Sequence, residues 1–312
     1  MGLTPQQKAA LVVVSGLPAP RGVGGVLVRR WDRAEPRPPR ALVFVDQEGG
    51  EVRAYPELPP QQAARAMRSK KEAFLAGSAT GAALRRAHVD VNLAPVLDLP
   101  DGPLGSRQFR SPFFGVAFAR GLAAAGAGTC VKHFPGLGSL PVSTDDRPYV
   151  RGTLRDRDLA PYRAAVEARI DCVMVGHGVY PSLGGRRGVL EPATYSLLRS
   201  LGFHGLAVTD SLSVVRGHAA DWAVGAVRAG ADLVPSRAAP TRRVQFALSL
   251  RLRVRASSTS TCDASWRSVP TYGEPARVAT NAATSRICSG LSLPRNDGMT
   301  PPPCSTFART CS

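Results

Sequence analysis

Short apolar runs recur along the chain, and most are separated by Ala- and Arg-rich stretches of helical character. The runs fall at 24–28, 41–45, 89–97, 129–132, 172–175, 205–209 and 231–234. Helices are expected at 61–86, 113–125, 154–169, 192–201 and 219–229. Strands that alternate with helices imply right-handed crossovers and a parallel sheet. Seven such units suit a (β/α)8 TIM-type barrel better than an open doubly wound sheet. A dinucleotide-binding fold is set aside, because Gly22-Val23-Gly24-Gly25 precedes a strand and lacks the G-x-G-x-x-G spacing.

Polar residues fall at one place in this pattern. Asp46, Asp98, Lys132, His133, His177 and Asp210 all lie at or just past the C-terminal ends of expected strands. A parallel barrel gathers those ends on a single face, where barrel enzymes carry their chemistry. One charged residue there is commonplace. Carboxylates, a lysine and histidines on successive strands cost desolvation energy unless they share a wet pocket or a polar ligand. The loop that follows Gly128-Thr129-Cys130-Val131 combines a cation, an imidazole, Pro135, Gly136 and Gly138.

The formal charge of +17 raises nucleic acid as a partner. The arginines are spread in ones and twos, without interleaved aromatics or a nucleic-acid-binding motif, so that reading is disfavoured. Cys130 and Cys172 sit inside apolar runs and read as inert buried thiols. No Cys/His ligand spacing occurs, so no metal is expected. The N-terminus has no basic n-region, and its apolar run 9–17 is short and leads into Pro18. The expectation is therefore no signal peptide, no membrane span and a cytoplasmic location.

The composition changes near residue 236. Arginine persists, lysine vanishes, and Ser, Thr and Pro crowd together, as in 257–261 and 301–303. The expected organisation is a barrel over 1–235 and an atypical, disordered tail over 236–312. A coding region read in a shifted frame is one origin for such a tail. An eighth strand and the last helices belong after 236 by count, so the barrel is expected to be incomplete at that end.

Four blocks resemble glycoside hydrolase family 3, in particular its single-domain β-N-acetylhexosaminidase-like members. They are 45–50 (Val-Asp-Gln-Glu-Gly-Gly), 91–98 with Gly105-Ser106-Arg107-Gln108-Phe109 after it, 132–138 (Lys-His-Phe-Pro-Gly-Leu-Gly), and 208–213 (Val-Thr-Asp-Ser-Leu-Ser). The resemblance covers roughly residues 5–235. It implies a retaining glycosidase that takes a small saccharide ending in β-linked N-acetylglucosamine or a related β-glycoside, with cell-wall fragments as one source, and that needs no cofactor. Retention requires a carboxylate nucleophile and a second group that protonates the leaving oxygen. Asp210 is the implied nucleophile, and a helix N-cap is its structural alternative. Asp46, Arg107, Lys132 and His133 are implied sugar contacts. Asp98 either orients those donors or serves a turn. His177 either reaches the pocket or shapes it.

Two departures from the family pattern stand out. Members of this type carry an acid/base histidine in the loop after the Lys-His block, and Leu137 stands where a histidine is common. Here the loop reads Ser143-Thr144-Asp145-Asp146-Arg147. Asp145 is the first choice for acid/base and Asp146 the reserve, provided burial or a second carboxylate favours the protonated form. Ala54 stands where the family often has an arginine, and Arg53 is one position early, so it would point elsewhere on an extended segment. A catalytically weak or inactive sugar-binding relative is the alternative these departures leave open.

Overall fold

The computed structural model describes residues 2–147, 149–214 and 219–236. The order of elements is α1 (Pro5–Leu11), β1 (Val13–Gly16), β2 (Gly25–Val28), β3 (Leu42–Val45), β4 (Gln47–Gly49), β5 (Val52–Arg53), α2 (Lys70–Arg86), β6 (Val91–Asn92), α3 (Pro112–Ala124), β7 (Gly128–Phe134), α4 (Asp156–Glu167), β8 (Cys172–Val175), α5 (Pro192–Ser200), β9 (Leu206–Thr209), α6 (Ala219–Ala229) and β10 (Val234–Ser236). Eight strands form one parallel sheet in the order β10-β1-β2-β3-β6-β7-β8-β9. A parallel bridge between Val208 and Leu233 draws β9 toward the β10 end, so the sheet is nearly closed into a barrel.

All eight strands therefore lie within residues 13–236, which corrects the expectation of a missing strand at the C-terminal end. The extra strand is β1. Its four residues are all buried, so no polar alternation marks it, and a helix leads directly into it. It pairs with β2 on one side and β10 on the other. The expected tail at 236–312 lies outside the described residues from 237 onward.

Alternation along each strand splits the core into two layers. Val14, Leu27, Phe44, Leu93, Cys130, Cys172, Met174 and Val208 form one buried cluster drawn from six strands and the residue just past β6, which places them inside the barrel. Val13, Val131, Val173 and Ala207 face the other way, against Ala119, Leu159, Tyr162, Leu198 and Ala226 of the helices. Phe134 meets Tyr162 edge-on with ring centroids 5.1 Å apart. The α2 helix starts at Lys70 rather than near 61, because the Ser69 side chain accepts the Glu72 N–H and caps it there. Among the described residues no helix is long and apolar enough to cross a membrane.

Cys130 and Cys172 stand opposite each other on β7 and β8 and are joined in a disulfide. The expectation of two separate thiols is corrected: the parallel register brings together side chains that are far apart in sequence.

Candidate active site

Two devices carry charged side chains to the C-terminal end of the barrel. The first is a hairpin. β3 runs through Asp46 into β4, and β4 pairs antiparallel with β5. The turn needs positive φ at Gly49 (+106°) and Gly50 (+59°), which glycine supplies without steric cost. The Gln47 side chain points away from the pocket and bonds the backbone of Tyr55, Leu58 and Pro59. Its own backbone is bonded in both directions by the Asn92 side chain. With Gln47 turned outward, Asp46 and Glu48 share the opposite face.

The second device is a register slip in β7 between Lys132 and Phe134. A slip of this kind re-aims side chains, and both Lys132 and His133 line one cavity. That cavity has a volume of about 410 Å³. Its wall includes Arg29, Asp46, Glu48, Arg107, Asp145, Asp210 and Ser211, with Leu27, Leu93 and Met174 on the apolar side.

The charges form a linked set. Lys132 Nζ lies 2.7 Å from Asp46 Oδ1 and 2.6 Å from Glu48 Oε1. Arg107 grips Glu48 in a two-pronged contact, Nε to Oε2 at 2.8 Å and Nη2 to Oε1 at 2.9 Å. Arg107 Nη1 also reaches Asp145 Oδ2 at 3.3 Å. Glu48 is 5% exposed and Lys132 2%. Burial pushes the Glu48 carboxyl up, but Lys132 and Arg107 together hold it down at about 2. Burial likewise disfavours the Lys132 ammonium, and Asp46 and Glu48 more than offset it, so its pKa lies above the usual lysine range.

His133 is oriented from behind. Asp98, 1% exposed, accepts from His133 Nδ1 at 2.8 Å and from the Leu137 N–H at 2.7 Å. One carboxylate thus sets the imidazole and the start of the following loop. Asp210 follows β9. Its N–H donates to the Val175 carbonyl at 2.8 Å, and its Oδ1 accepts the Ser211 N–H at 2.7 Å. Burial raises the Asp210 carboxyl, while His133, His177, the Ser211 N–H and Lys132 bring it below the usual carboxylate range.

Of the residues singled out from sequence, Asp46, Arg107, Lys132, His133, Asp145 and Asp210 meet in the cavity wall. Asp98 and His177 do not: Asp98 stands behind His133, and His177 Nε2 contacts the Ser211 carbonyl at 3.0 Å. Asp145 is not buried beside a second carboxylate; its side chain is 57% exposed and paired with Arg107. Asp146 is exposed and outside the wall. Arg53 turns aside as expected and bonds the carbonyls of Gly50 and Pro56 and the Gln61 side chain. Glu48 was missed as a site residue. Its signal was the two-residue spacing from Asp46 on an extended segment, which puts both on one face. Among the described residues no group of three or more His, Cys, Asp or Glu side chains is placed to hold a metal ion.

A nearly closed parallel barrel with acids and cations gathered at the C-terminal strand ends has the layout of a barrel enzyme. The chain belongs to glycosyl hydrolase family 3: the family model for its N-terminal domain matches residues 27–254. A beta-hexosaminidase of Stenotrophomonas maltophilia is 34% identical, over 64% of this chain and 66% of the relative. One from Xylella fastidiosa is also 34% identical with the same coverage. The chain thus spans 66% of the length of these curated relatives. Among solved structures, a family 3 beta-N-acetylglucosaminidase from Paenibacillus superposes with a TM-score of 0.70 at 26% identity, covering 82% of this chain and 59% of that one. A family 3 glycosyl hydrolase from Mycobacterium smegmatis gives 0.70 at 31% identity, covering 82% and 92%.

Proposed function

We propose that the protein is a retaining glycosidase acting on terminal β-linked N-acetylglucosamine, with Asp210 as nucleophile. The observation that carries this reading is Asp210 itself. It is an ionised carboxylate fixed at a strand end, in one cavity with a ready-made set of sugar donors and acceptors. In the first step Asp210 attacks the anomeric carbon as the bond to the leaving oxygen breaks, and Asp145, separated from Arg107 by the bound saccharide and protonated from solvent, gives that oxygen its proton. In the second step Asp145 takes a proton from water, the water oxygen bonds the anomeric carbon, and Asp210 leaves. Lys132, Arg107 and His133 donate to hydroxyls and the N-acetyl group, and Asp46 accepts from hydroxyls.

The test is turnover of a chromogenic N-acetyl-β-glucosaminide. Asp210→Asn should lower kcat by about 10⁶-fold, the scale seen when a nucleophile is removed. An undiminished rate would falsify the nucleophile assignment. A second reading, a sugar-binding protein with weak or no catalysis, is favoured by the exposed, arginine-paired state of Asp145. Saccharide binding by calorimetry without turnover of the activated substrate would select it.

A further inference from the structure

The stretch Gly176-His177-Gly178 follows β8 and contributes nothing to the cavity wall, yet it holds a histidine that is 0% exposed. His177 Nε2 lies 3.0 Å from the carbonyl oxygen of Ser211, the residue after the proposed nucleophile. A carbonyl only accepts, so Nε2 carries the proton in this contact. His177 Nδ1 is buried with no hydrogen-bond partner among the described residues. An imidazole kept only to fill space would leave that nitrogen uncompensated, and an apolar ring would fill the site without the penalty. The unpaired nitrogen is explained if the bond on the other side of the ring has a use.

Three consecutive residues, 175 to 177, hold the proposed nucleophile and the imidazole opposite it. The Val175 carbonyl accepts the Asp210 N–H at 2.8 Å, and the Gly176 N–H donates to the Phe134 carbonyl at 2.9 Å. A Cβ at residue 176 would come within 3.0 Å of the His133 Cβ, so this stretch packs directly behind His133. The Ser211 residue is fixed from both sides. Its N–H donates to Asp210 Oδ1, and its carbonyl accepts from His177.

We propose that His177 is a positioning residue: by holding the Ser211 carbonyl, it fixes the Ser211 N–H on Asp210 Oδ1 and so aims Oδ2 at the anomeric carbon. This inference rests on the assignment of Asp210 as nucleophile. Because His177 does not line the cavity, its loss should spare substrate affinity and strike the chemical step. A small misplacement of a reacting group costs up to roughly a hundredfold in rate.

The experiment compares His177→Phe, which keeps the ring and deletes the donor, with His177→Gln, whose amide N–H stands in for Nε2–H. On the chromogenic substrate the Phe variant should lose about tenfold to a hundredfold in kcat, with KM within about twofold. The Gln variant should recover most of that loss. A Phe variant with wild-type kcat overturns the proposal, as does one altered in KM alone. So does a Gln variant that folds as the wild type does but stays as slow as Phe. If the Phe variant does not fold, nitrogen-15 NMR of the wild-type histidine rings decides without turnover. A proton on Nε2, with or without a second on Nδ1, supports the bond, and a proton on Nδ1 alone overturns it. Wild-type protein that never turns over the substrate counts against the nucleophile assignment. Activity that needs Asp210 but ignores His177 counts against this inference only.

Discussion

The pocket is built from two unlike regions. The set formed by Glu48, Lys132 and Arg107 is deeply seated, and every member has a charged partner within 3 Å. The loop between Gly138 and Arg155 is held by buried Leu140 and Val150 and by backbone bonds of Val150 and Gly152 with Val179, while Asp145, Asp146 and Arg147 stay exposed. Near its start the Leu137 N–H is held by Asp98, and at its end Arg155 pairs with Asp101 and Asp158. Between these anchors Asp145 reaches the pocket through one longer contact to Arg107, 3.3 Å. The groups proposed to hold the sugar are preorganised, whereas the group proposed to move the proton is in solvent. Positioning before binding lowers the cost of binding, and proton transfer tolerates a residue that closes on the substrate.

The largest expected effect comes from breaking the buried set. Glu48→Gln removes the carboxylate shared by Lys132 and Arg107 and should cost about 3–5 kcal/mol of stability in urea melts. A loss under about 1 kcal/mol would show that water or rearrangement compensates the two cations.

Acid should reach the same set next. The Glu48 carboxyl titrates at about 2 in the folded protein and near 4.5 when unexceptional. Below 4.5 the unfolded chain takes up a proton that the folded chain refuses. The Glu48 contribution is therefore complete above that pH and is lost as pH falls toward 2. It amounts to about 3 kcal/mol. Urea midpoints for wild type and Glu48→Gln between pH 6 and 2.5 should converge as acid rises.

The loop should behave differently. Asp145→Asn should lower kcat by about 10²–10³-fold, within the range for general acid–base catalysis. Its melting temperature should stay close to wild type, because an exposed pair contributes little. Asp146→Asn should leave the rate within about twofold. Equal losses in the two variants would assign the proton transfer to neither. The smallest effect sets the baseline: Arg33→Ala breaks an exposed pair with Glu57 and should cost at most about 0.5 kcal/mol.

The sequence exposed the strand ends more clearly than the strands. β8, at 172–175, matched its apolar run residue for residue, because a buried parallel strand bounded by polar residues has abrupt edges. β1 escaped notice because Val13–Gly16 follows helix α1 within a single apolar run, and only its pairing with β2 and β10 defines it. Asp210 and Lys132 were visible because charges at the ends of apolar runs are conspicuous. Glu48 was hidden because an acid next to two glycines reads as an ordinary turn, and its two cationic partners come from residues 107 and 132. The disulfide and the His177 contact were invisible for the same reason: each joins distant segments that come together only after the sheet is assembled.

The pairing of β1 with β10 also bears on how the chain must be made. Val13 leaves the ribosome early, and its partner Val234 follows after nearly the whole domain. At about 5–20 residues per second, that delay is on the order of ten seconds or more. Through that interval β1 has one open edge, the kind of surface that recruits other strands. Slow synthesis or a stall before residue 234 should therefore favour aggregation, and a chaperone that shields short apolar strands should raise the yield of folded protein.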